Sequence, residues 1–153
     1  MSGVVVIGIG QRVAGRRRAG PPSVRAAASR LPAGTRVVEL DGEPARVVET
    51  WDGADLAVVV DAVRTGAPPG TVHRFDPARE GVPVPAGAGS SHSLGASDAY
   101  HLGRALGRLP GRVVIVGVEV ADVGPGAGLT PEVAAAVPAA VAAVVGHVTG
   151  GGG

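Results

Sequence analysis

Ala57-Val58-Val59-Val60-Asp61-Ala62 is the stretch on which the fold turns. Three consecutive valines leave no polar alternation, so both faces of this segment must be covered, as in a strand inside a parallel sheet with helices on either side. Outward from it, Val4-Val5-Val6-Ile7-Gly8-Ile9 and Val113-Val114-Ile115-Val116-Gly117-Val118 read the same way. Strands are expected near 3–9, 36–40, 56–61, 71–75 and 112–118, with helical patterns between them. One helix starts at Pro21-Pro22, lines a face with Val24, Ala27, Ala28 and Leu31, and stops at Pro32. Another lies near 94–106. The last is capped by Thr130, takes Pro131 in its first turn and carries a stripe of Val133, Val137, Val141, Val144, Val145 and Val148, with a kink at Pro138. The expected architecture is a three-layer α/β/α sandwich with a mostly parallel five-stranded sheet.

The 153 residues suit one domain over 1–149, and 45% hydrophobic content can fill its core. The Pro/Gly/Ala-rich stretch 81–90 reads as a flap, and Gly150 to Gly153 as a disordered tail. Every basic side chain among the 14 is arginine, yet the net charge is only +1, which implies no general affinity for nucleic acid or a membrane surface. The absence of cysteine excludes disulfides, thiolate metal sites and thiol nucleophiles. Val4 to Ile9 is of strand length and is followed by arginines, so neither a signal peptide nor a membrane span is expected and the cytoplasm is the expected location.

Ligands of an open parallel sheet gather beyond the C-terminal ends of its strands. Three segments fall there: residues 10–20, Asp41 to Pro44, and Asp61. An ionised carboxylate directly after a valine run needs a cation, a helix N-terminus or water to offset its desolvation, although it can also simply cap the next turn. His92, just before a helix, is a potential imidazole ligand for Ni, Zn or Cd, or an exposed loop residue. Arg16-Arg17-Arg18 is either a solvated loop or an anion-binding run entering a helix. His73, His101 and His147 are expected on the surface or on helix faces, with His101 one turn after Asp98.

Rival motifs are incomplete. Gly10-Gln11-Arg12-Val13-Ala14-Gly15-Arg16-Arg17 has the glycine spacing of a phosphate-binding loop but lacks its Lys-Ser/Thr pair, and Gly8-Ile9-Gly10 lacks the third glycine of a dinucleotide fingerprint because Val13 stands there. Ser90, Ser91, His92 and Asp98 supply hydrolase residue types without a nucleophile elbow after a strand.

Val4 to Gln11, Ala57 to Ala62 and His92-Ser93-Leu94-Gly95, with Val116-Gly117-Val118-Glu119 and Gly124-Pro125-Gly126-Ala127-Gly128-Leu129-Thr130-Pro131-Glu132-Val133, together resemble the hydrogenase maturation endopeptidases. The resemblance covers most of the chain. It implies a phosphorylase/hydrolase-like sandwich and removal of the C-terminal extension of a nickel-iron hydrogenase large subunit after nickel insertion. It further implies that Asp61 and His92 are metal ligands, with Asp61 also catalytic, and that nickel comes with the large-subunit precursor. The family's acidic ligand after the first strand falls on Arg17, a permanent cation that repels a divalent metal. Glu43 is a possible substitute ligand, Glu119 a poorer one. Asp41-Gly42-Glu43 corresponds to the family's partner-reading loop, without its second glycine and threonine. The alternative is a catalytically impaired relative that binds a partner or an anion through Arg16, Arg17 and Arg18.

Overall fold

The computed structural model describes residues 3–9, 12–13, 16–17, 31, 33–41, 43–63, 67–68, 71–80, 95–119 and 141. Its centre is a five-stranded sheet built from β1 (Val4–Ile9), β4 (Arg36–Leu40), β5 (Leu56–Val63), β6 (Val72–Phe75) and β7 (Arg112–Glu119), in the spatial order β4-β1-β5-β7-β6. The first four in that order are parallel, and β6 alone runs antiparallel, against β7. The five expected strands are therefore present. A separate two-stranded hairpin pairs β2 (Arg12–Val13) with β3 (Arg16–Arg17), so part of the arginine run extends as a strand.

The uninterrupted valine runs are buried on both faces, as their composition requires. Ala57 and Val59 of β5 pack with Val5, Ile7, Val113 and Ile115 against α1 (Pro44–Trp51) and α3 (Gly95–Leu106). Leu56, Val58 and Val60 face the other way, with Val6, Val114, Val116, Val118 and Val141. Val141 is helical and buried; the rest of the expected last helix, the expected helix from Pro21, the flap over 81–90 and the tail lie outside the described residues.

Two expectations need correcting. The segment from Asp41 to Pro44 is not simply a loop, because α1 begins at Pro44 with Glu43 as its N-cap: the Glu43 carboxylate accepts from the Arg46 N–H at 3.0 Å. Proline in the opening turn has no donor to lose there. This helix is only eight residues long, too short to announce itself by periodicity, and its stability comes from packing. Its Trp51 is fully buried and donates Nε1–H to the Arg108 carbonyl at 2.9 Å, tying α1 to the chain leaving α3. The second correction concerns β5, which continues through Asp61 to Val63 because its pairing with β7 runs on to Glu119. Asp61 therefore sits within the strand and does not end it.

Opposite the C-terminal edge, the sheet is tightly laced. The Gly3 N–H donates to the Asp55 carboxylate at 2.8 Å, the Asp55 N–H returns to the Gly3 carbonyl at 2.8 Å, and the Gly111 N–H reaches the Ala54 carbonyl at 3.0 Å. A short four-residue helix, α2 (Pro77–Glu80), follows β6, and Asp76 before it pairs with Arg112 at 3.2 Å. Among the described residues no helix is long and apolar enough to cross a membrane.

Candidate active site

Asp61 is 5% exposed and accepts the Ala96 N–H at 3.1 Å. Ala96 lies in the first turn of α3, so the carboxylate sits at that helix's N-terminus, where unsatisfied N–H groups and the helix dipole favour an anion. The N-terminus of α3 is one of the offsets that a buried carboxylate after the valines is expected to need. The partner is 35 residues away in sequence.

On the same face, β7 ends in a second buried acid. Glu119 is 2% exposed, and its Oε1 lies 2.9 Å from Nε2 of His73 on β6. The His73 ring is 23% exposed and stacks on Phe75 with centroids 5.7 Å apart. His73 is thus a half-buried strand residue hydrogen-bonded to a buried carboxylate, not the surface or helix-face histidine expected. The Glu119 N–H also donates to the Thr71 carbonyl at 2.8 Å, which locks the start of β6 to the end of β7.

Sheet register places these groups together. Asp61 pairs with Gly117, and Gly117 pairs with His73, so carboxylate and imidazole occupy one row with a residue that has no side chain between them. Strand alternation puts Asp61, His73 and Glu119 on the face covered by α3, two residues beyond Val59, two before Phe75 and four beyond Ile115 respectively.

The other expected site residues divide. Asp41 and Glu43 stand at the same sheet edge, after β4, whose Leu40 pairs with Ile9; Asp41 accepts from the Glu43 N–H at 3.3 Å. Glu43 is engaged as the α1 cap through one of its two carboxylate oxygens. His92, Gly42 and Arg18 lie outside the described residues, and so do the side chains of Arg16 and Arg17. Among the described residues no group of three His, Asp or Glu side chains is placed to hold a metal ion. The His73–Glu119 pair was missed because its members are 46 residues apart. The usable signal was Glu119 itself, an acid directly after the apolar run from Val113 to Val118, the same pattern that singled out Asp61.

An α/β sandwich with a mostly parallel sheet and buried carboxylates at the C-terminal strand edge defines a class of site-bearing domain that many chemistries share. The chain belongs to the hydrogenase maturation protease family, which matches residues 27–147. Its fold is that of the hydrogenase maturating endopeptidase HybD from E. coli, at 23% identity and TM-score 0.64, covering 99% of this chain and 94% of that one. A solution structure of an endopeptidase from Escherichia coli aligns at TM-score 0.70, with 23% identity over 99% of this chain and 94% of that chain. The [NiFe] hydrogenase maturation protease HycI from Thermococcus kodakarensis KOD1 aligns at 0.60, with 17% identity over 94% and 92% respectively. No curated protein sequence matches the chain.

Proposed function

We propose that this protein is an endopeptidase that removes the C-terminal extension of a nickel-iron hydrogenase large-subunit precursor once nickel is in place. The observation that carries the proposal is Asp61, a buried carboxylate held by the N-terminus of α3 at the C-terminal sheet edge, in a chain of the maturation protease family. A carboxylate held by a helix N-terminus stays an acceptor, the state a base toward water requires. Asp61 orients and deprotonates the attacking water, and together with His92 recognises the nickel that the substrate carries. Arginine at the position of the family's first acidic ligand disfavours a resident divalent metal, in keeping with nickel arriving as part of the substrate. Asp41, Gly42 and Glu43 flank the same edge and form the segment that meets the precursor. The cytoplasm, where such a precursor is assembled, is the compartment this function requires.

The anion-binding alternative through Arg16, Arg17 and Arg18 rests on their charge alone. The deciding experiment incubates the protein with its co-encoded large-subunit precursor, nickel-loaded and nickel-free, and follows the mass of the precursor. Trimming of the nickel-loaded form alone is the expected result. An untrimmed nickel-loaded precursor would reject the proposal.

A further inference from the structure

We propose that the Ser97 hydroxyl donates a hydrogen bond to the scissile carbonyl oxygen as negative charge builds on it. The inference rests on the peptidase role given to Asp61 and adds a donor that the attack of water on a peptide carbonyl calls for. Asp61 takes the proton of the water, but an ionised carboxylate is an acceptor only and offers nothing to that oxygen.

Ser97 is 6% exposed, and its Oγ is, among the described residues, the one buried side-chain polar atom that makes no hydrogen bond. A serine inside a helix ordinarily bonds a carbonyl one turn back, and a buried hydroxyl with no partner lowers stability. Packing gives no reason for a hydroxyl here, since Ala96 and Ala99 of the same helix fill their buried positions with a methyl group. A donor left without a partner in the core is the kind of local cost that folds carry at working sites.

Its position indicates the partner. Ser97 is the third residue of the 12-residue α3, and Cα–Cβ bonds of a helix tilt toward its N-terminus, so the side chain leans to the end that holds Asp61. Asp61 accepts the N–H of the preceding residue, Ala96, at 3.1 Å. Covalent geometry keeps Oγ within roughly 7 Å of that nitrogen, and so within roughly 10 Å of the carboxylate oxygen. A bond of about 2.8 Å from carboxylate to water, an attack distance of about 3 Å and a bond of about 2.8 Å from carbonyl to hydroxyl bridge such a span. Rotation about χ1 moves Oγ by roughly 2 Å, so the hydroxyl can turn to an incoming oxygen without movement of the helix. The positive end of the α3 dipole favours the oxyanion over the neutral carbonyl in the same place.

In the proposed sequence, water oxygen bonds to the carbonyl carbon, its proton passes to Asp61, and the carbonyl π pair moves onto oxygen. Ser97 donates a hydrogen bond to that oxygen and keeps its own proton. The pair then re-forms the carbonyl as the C–N bond breaks, and nitrogen takes the proton held by Asp61. One water is consumed, and one carboxylic acid and one amine are formed.

The test compares wild-type and Ser97→Ala proteins in trimming of the nickel-loaded precursor across a range of pH, with thermal melting of each. Loss of an oxyanion donor should lower kcat by about 10²–10³ with KM little changed. The loss should be equal at every pH, because serine does not titrate and Asp61 is untouched. The melting temperature should stay the same or rise, since alanine removes an unsatisfied hydroxyl and is the better helix former. A hydroxyl kept for structure gives the opposite shift. Wild-type kcat in Ser97→Ala, a lower melting temperature, or a loss that varies with pH overturns the proposal for Ser97 while leaving the role of Asp61 standing. A wild-type protein that trims nothing overturns both.

Discussion

Replacing Asp61 by asparagine separates what the carboxylate does for the fold from what it does for the reaction. The amide has nearly the same shape and keeps one oxygen that can accept the Ala96 N–H, now at 3.1 Å from Oδ2. What disappears is the charge. Its interaction with the N-terminus of α3 is worth about 0.3–1 kcal/mol, and up to about 2 in a partly buried setting. Against that stands relief from holding an ionised group at 5% exposure, which costs several kcal/mol when uncompensated. The two terms oppose one another, so the net change in stability should be within about 2 kcal/mol, a melting shift of no more than roughly 8 °C for a domain this size. Catalysis has no such offset, because an amide cannot take the proton from water. The rate of trimming should fall by about 10²–10⁴. Single-turnover trimming of the nickel-loaded precursor, read by mass, and thermal denaturation measured on the same preparation give both numbers. Trimming at the wild-type rate in a folded Asp61→Asn protein would refute the reasoning, whatever family the chain belongs to. A collapse of the fold would show that the carboxylate is chiefly structural.

Three further substitutions test the frame around the site. Gly103→Ala places a Cβ 2.9 Å from Leu109 Cδ2, 3.0 Å from the Arg108 carbonyl and 3.3 Å from Trp51; overpacking should cost about 1–3 kcal/mol, offset in part by up to about 1 from helix propensity. Trp51 is the only tryptophan, so its emission should shift as the bond to Arg108 is strained, and a more stable protein with unchanged emission would contradict the packing described. Gly111→Ala sets a Cβ 2.8 Å from the Asp55 carbonyl oxygen, a backbone atom that cannot swing aside, and urea titration should show a lower midpoint. Glu43→Ala should lose about 0.5–2 kcal/mol in the same titration and Glu43→Ser should recover most of it, since serine also caps; no recovery would mean that the carboxylate does more than cap α1.

Much of this molecule is legible in the valines. Runs such as Val58-Val59-Val60 can be stable only between two apolar layers, so a parallel sheet with helices on both faces follows from them and all five strands appear near their expected places. Asp61 was legible for the complementary reason, as a charge at the end of a run that cannot solvate it. Less legible was α1, whose eight residues give two turns of pattern, although Glu43-Pro44 is a recognisable start. The His73–Glu119 pair depends on β6 returning antiparallel along β7, a tertiary fact that local periodicity does not encode.

The two edges of the sheet differ in what they contain. At the N-terminal edge, Gly3, Ala54, Asp55 and Gly111 bind one another through the backbone and one carboxylate, which rigidifies the strands. At the C-terminal edge, the apolar runs of β5 and β7 lead to Asp61 and Glu119, two buried acids on one face. Two such charges in so small a core are not an efficient route to stability, because each must recover its lost hydration from a neighbour. Their partners differ in kind. Asp61 faces a helix N-terminus, whose fixed N–H donors hold a carboxylate as an acceptor, whereas Glu119 faces an imidazole, a group that can hold or release a proton. Because Gly117 has no side chain, β7 puts none between Asp61 and His73 in their row, and a larger residue there would fill the space between them.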